Sequence, residues 1–97
     1  MGLGTGQIGY GRLLTTRGKT DSARVMLERG LAMSRVRYGE QHWRTAEAKL
    51  ALGIDLAASG QAARADSLLR EASAVLEKER GQPQLAKEAR LALARRP

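Results

Sequence analysis

The chain of 97 residues has no cysteine, no phenylalanine, one histidine (His42), one tryptophan (Trp43), two tyrosines (Tyr10, Tyr38) and two prolines (Pro83, Pro97). Each scarcity removes an option. Without Cys there is neither a disulfide framework nor a thiolate metal site, and a lone imidazole supplies neither a transition-metal ligand set nor a catalytic His-Cys pair. With so few aromatic residues, a core must be built from Leu, Ala, Val, Ile and Met. The abundant Ala, Leu, Arg, Glu and Lys carry the lowest helical cost, which favours helices over a sheet. Prolines only at 83 and 97 leave long stretches with no obligatory helix break. No run approaches the roughly 18 to 20 apolar residues that span a bilayer, and the N-terminus lacks the basic-then-apolar order of a signal peptide. The expectation is a soluble, cytoplasmic single domain over 1–97, with no membrane attachment, no metal, no cofactor and no catalysis.

What is present is positive charge, unevenly spread. Residues 1–38 carry seven Lys/Arg against Asp21 and Glu28, while the remaining ten cations face eight carboxylates, for a net +7 overall. Such a bias steers acidic partners and says nothing about fold.

The chain also repeats itself. At an offset of 42, Gly11, Leu14, Gly18, Ala23, Leu27 and Gly39 recur as Gly53, Leu56, Gly60, Ala65, Leu69 and Gly81; a third, partial copy at offset 41 matches Glu47–Leu52 with Glu88–Leu93. Within each copy the apolar spacing is i, i+3, i+4, i+7: Ala23, Met26, Leu27, Gly30, Leu31, then Ala65, Leu68, Leu69, Ala72, Val75. Each copy therefore reads as a pair of helices, with Gly18 and Gly60 placed to end the first of each pair. The predicted helices run over 5–17, 21–38, 43–59, 62–80 and 84–95. Helix 43–59 is apolar on two faces, Leu52 and Leu56 on one, Leu50, Ile54 and Ala57 on the other, as suits a helix sandwiched between neighbours.

The pattern Leu52-Gly53-x-x-Leu56-x-x-x-Gly60, followed by Ala65, Leu69 and Ala72 and matched in the first copy by Tyr10-Gly11, Leu14, Gly18, Ala23, Leu27 and Gly30, resembles the tetratricopeptide repeat. The 42-residue period exceeds the roughly 34 of the common type. Together with Gly39-Glu40-Gln41-His42-Trp43-Arg44-Thr45-Ala46, it resembles the kinesin-light-chain variety, with Trp43 where that family usually has Pro. The wording of residues 65–72 is similar to bacterial chains in which such repeats accompany kinase or regulatory domains. The resemblance implies an all-α solenoid of antiparallel hairpins, about two and a half repeats: 1–42, 43–83 and a capping helix over 84–97. It implies a concave surface lined by the first helix of each pair, which binds a protein or peptide. Carried over residue by residue, that surface comprises Thr5, Ile8, Arg12 and Thr15, then Glu47, Leu50, Ile54 and Ala57, then Glu88, Leu91 and Arg95. Leu50 and Ile54 are expected to hold a ligand side chain and Arg12 to orient a carboxylate or carbonyl.

Other apparent motifs lack their context. Gly4-Thr5-Gly6-Gln7-Ile8-Gly9 fits a dinucleotide fingerprint but has no preceding strand, and Gly18-Lys19-Thr20 ends like a P-loop with Leu13 where the first Gly belongs. The glutamates read as solvated helix faces. The main rival is a nucleic-acid binder tracking phosphates with Arg12, Arg17, Lys19, Arg24, Arg29, Arg35 and Arg37; no aromatic residue interleaves with them for base stacking. Finally, five glycines among residues 2–11 predict a weak first helix, exposure of Met26, Leu27 and Met33, and either an upstream repeat in the natural protein or a homodimer through this N-terminal end.

Overall fold

A computed structural model describes residues 6–95, so Thr5 and the first glycines lie outside the described residues. Five α-helices follow one another: α1 Gly6–Thr16, α2 Thr20–Tyr38, α3 Trp43–Ala58, α4 Ala62–Lys78 and α5 Pro83–Arg95. No strand occurs among the described residues. The connections are short and consecutive helices pack on one another, which makes α1–α2 and α3–α4 antiparallel hairpins with α5 added beside α4.

The helix ends have local causes. After α1, Gly18 adopts φ 80°, Lys19 N–H donates to Leu14 O at 2.9 Å and Gly18 N–H to Thr15 O at 3.0 Å. After α3, Gly60 adopts φ 85°, with Gln61 N–H to Leu56 O at 2.9 Å and Gly60 N–H to Ala57 O at 3.2 Å. These are the paired bonds of a left-handed glycine cap, repeated 42 residues apart. At the start of α3 the His42 Nδ1 accepts from Arg44 N–H at 3.0 Å and so caps the helix.

Helix α3 is the structural centre, touching all four other helices. Its Leu52 and Leu56 join Leu27, Leu31, Ala65 and Leu68 in one buried cluster, while Leu50 joins Leu69, Ala72, Leu76, Ala86 and Ala89 in a second. Close helix approach is set by glycine: a Cβ on Gly53 would stand 2.8 Å from Leu69, and one on Gly11 2.6 Å from Leu27, the equivalent residue of the first copy. Of the three residues expected to be exposed near the N-terminal end, Met33 is exposed and Met26 half-buried, but Leu27 is fully buried, because it fills the gap that Gly11 leaves. No helix among the described residues is long and apolar enough to cross a membrane.

Buried charge stitches the hairpins together. Asp55, with no exposed surface, accepts from Thr15 Oγ1 of α1 at 2.7 Å and faces Arg24 Nε of α2 at 3.4 Å. Lys49 Nζ sits between Glu40 at 2.8 Å and Glu71 at 3.0 Å. Burial alone would lower the Lys49 pKa, but the two carboxylates hold it above the ordinary value; the same contact holds Glu40 below its ordinary value.

Candidate concave binding site

The first helices of each pair, α1, α3 and α5, share one face. Two adjoining cavities open on it. One of about 200 Å3 is lined by Arg12, Thr15, Thr16, Ala51, Ile54 and Glu88. The other, of about 280 Å3, is lined by Ile54, Ala57, Leu69, Glu88, Leu91, Ala92 and Arg95, and its walls are mainly apolar. Ile54 and Glu88 belong to both, so the two form a continuous groove.

Of the residues expected on this surface, Arg12, Thr15, Ile54, Ala57, Leu91 and Arg95 line the groove together with Glu88. Two are corrected. Leu50 has no exposed surface, because it lies on the flank of α3 that α4 and α5 cover. Ile8 is only 2 % exposed, because its side chain sinks against Gly30 of α2, where no Cβ stands in the way. Neither can touch a ligand in this arrangement. Thr15 reaches the groove wall, but its hydroxyl is committed to Asp55.

Arg12 and Glu88 form an ion pair across the groove, joining α1 to α5, two helices whose backbones do not otherwise meet. Both side chains keep partial contact with solvent, 31 % and 41 % exposed. Glu47 is half-buried beside them, and burial raises its pKa above the ordinary value against the opposing pull of Arg44 and Arg12, with Glu88 adding to the rise. That corrects the reading of the glutamates as uniformly solvated: Glu47 is half-buried and close enough to Glu88, 41 positions on at the same register of α5, to feel its charge, although it lines neither cavity.

Sequence reading also missed a ring cluster. The α2–α3 turn stacks Tyr38 on His42 (centroids 4.6 Å) and His42 on Trp43 (5.9 Å), with Arg44 over Trp43 at 4.5 Å and Arg37 over Tyr38 at 5.8 Å. The spacing of rings and cations in sequence is irregular, and only the turn brings them together. Among the described residues no group of three or more His, Cys, Asp or Glu side chains could hold a metal ion.

A family model described as tetratricopeptide repeat matches residues 3–78. No curated protein and no solved structure gives a significant match.

Proposed function

Because this chain belongs to the tetratricopeptide repeat family, whose repeats generally mediate protein–protein interaction, we propose that it is a non-catalytic module that takes an acidic peptide or partner segment in its concave groove. The observation that carries this reading is the composition of the groove. An apolar floor of Ile54, Ala57 and Leu91 lies between Arg12 at one end and Arg95 at the other, which fits a peptide with an apolar anchor between carboxylates. An incoming carboxylate competes with Glu88 for Arg12, the stronger the better it matches the planar guanidinium. The resemblance of residues 65–72 to bacterial chains that carry such repeats beside kinase or regulatory domains supports a place in a larger regulatory protein.

The test is a fluorescence-anisotropy titration with labelled acidic peptides carrying one Leu or Trp, against scrambled basic controls. Ile54→Glu is expected to remove binding while helicity by circular dichroism stays unchanged, since Ile54 is only partly buried. If the acidic peptides bind no better than the basic ones, the reading fails. The nucleic-acid alternative predicts submicromolar capture of mixed-sequence DNA that weakens steeply with salt, with a slope of about −0.9 per phosphate neutralised. Indifference to DNA at low salt removes it.

A further inference from the structure

The two hairpins share a fold but not a fate. In the second, the face formed by Ala48, Ala51, Leu52 and Asp55 of α3 is buried, between 0 and 1 % exposed. Helices α2 and α1 cover it together, α2 making the larger contact: Leu27 and Leu31 join that cluster, Arg24 faces Asp55, and Glu28 pairs with Arg64 of α4 at 2.8 Å, while Ile8 of α1 joins the same cluster and Thr15 bonds Asp55. At the offset of 42 the same positions of the first hairpin are Gly6, Gly9, Tyr10 and Leu13. There Tyr10 is 54 % and Leu13 45 % exposed, and Cβ atoms on Gly6 and Gly9 would meet nothing within 4 Å. A groove of about 450 Å3 between Tyr10 and Leu14 of α1 and Val25 and Met26 of α2 opens beside them. Of the six large hydrophobic side chains exposed among the described residues, five (Tyr10, Leu13, Val25, Met33 and Val36) belong to this hairpin. The equivalents of Val25 and Val36 in α4 are the solvated Ser67 and Lys78, so the fold itself does not require apolar residues there.

We propose that this α1–α2 face is a second docking surface, distinct from the concave groove, and that its occupant is an amphipathic helix of a partner protein with an acidic flank. The helical form follows from the internal precedent: helices cover the equivalent face of the second hairpin, α2 making the larger contact and α1 the smaller. The sign of the flank follows from charge. Arg17, Lys19 and Arg29 border the face and make no ion pair among the described residues, whereas in the second hairpin the basic Arg64 is answered by Glu28 of the docked helix. The apolar stripe follows from Leu13. Where Asp55 takes Arg24 of α2, Leu13 offers only hydrocarbon, so the docked helix needs an apolar residue at that point. A second copy of this chain fits the charge badly, since a two-fold axis through the face would set its unpaired cations against themselves.

The probe is a synthetic 19-residue helix copying Thr20–Tyr38, with Arg24 replaced by Leu and Arg29, Arg35 and Arg37 by Glu. The intact chain is expected to bind it, Leu13→Glu to weaken binding by about tenfold or more, and Arg29→Glu to weaken it less and to flatten its salt dependence. Helicity should persist in both variants, because both residues are exposed. Ile54→Glu, which tests the groove, should leave this binding intact, so the two readings fail separately. No binding, binding indifferent to Leu13→Glu, a dimer by sedimentation that Leu13→Glu dissolves, or retention on anionic vesicles stronger than on the peptide would each overturn the proposal.

Discussion

Ile8, Leu50 and Leu91 occupy one register position in three successive copies, yet two are buried and one is 43 % exposed. The difference is not chemical. Ile8 and Leu50 each have a following first-type helix beside them, α3 and α5, whereas nothing among the described residues follows α5 on that side. Leu50→Ala should therefore destabilise by about 2 to 5 kcal/mol in urea melts, as a core truncation, while Leu91→Ala should cost well under half as much and act on peptide binding instead. Equal costs would show that Leu91 is core. Glu47 gives a second residue-level outcome. Its folded carboxyl holds its proton to higher pH than the ordinary 4.5. The folded state thus binds more protons than the unfolded one just above that value, and stability falls as pH rises through the window. Glu47→Gln should be more stable than the parent at neutral pH, with the gap closing below about pH 4, where both states of the parent are protonated. A constant gap across pH would assign the effect to something other than the proton.

The repeat of Gly11–Leu27 and Gly53–Leu69 makes helix approach an element-level property, and it can be probed with an internal control. Ala is the better helix former by about 0.8 to 1 kcal/mol, so on propensity alone every helical Gly→Ala change stabilises. At Gly53 the new Cβ would stand 2.8 Å from Leu69, which is fully buried and has no room to retreat. Gly53→Ala should lose about 1 to 3 kcal/mol through overpacking, whereas Gly9→Ala, with nothing within 4 Å, should gain up to about 1 kcal/mol. Thermal melts moving in the same direction would sink this account of the interface. All five helices were legible in the sequence to within one or two residues, because period, glycine caps and the 42-residue offset agree with one another. The groove was only partly legible. The apolar stripe Leu50, Ile54, Ala57 is real, but periodicity gives the angle of a residue around its helix and not which neighbour lies there, and α5 reaches Leu50 while leaving Ile54 and Ala57 half-covered. The Arg12–Glu88 pair was beyond reach for the same reason: it joins residues 76 positions apart that belong to non-adjacent helices.

At the scale of the molecule that pair is the one ion pair between α1 and α5 among the described residues, and it spans the groove that the proposed ligand enters. With both partners partly solvated it contributes under about 1 kcal/mol to stability, too little to hold the fold together. Its consequence lies in binding instead. If the groove takes acidic ligands as proposed, the guanidinium that Glu88 holds is shared between a resident carboxylate and the arriving one, and binding is weaker than the groove residues alone would allow. Glu88→Gln should leave the melting midpoint nearly unchanged and raise affinity for the acidic peptide several-fold, as release of a partly solvated ion pair worth under about 1 kcal/mol allows. Hydrogen exchange in α1 and α5 should quicken together, since the ion pair links them, while α3 and α4, which carry most of the buried residues, keep their protection. The double variant Arg12→Gln/Glu88→Gln separates this from a simple loss of negative charge near the groove. If Arg12 is the group released, the second substitution cancels the gain; if the gain persists in the double variant, the ligand carboxylate is being read elsewhere, with Arg95 the remaining cation on the groove wall.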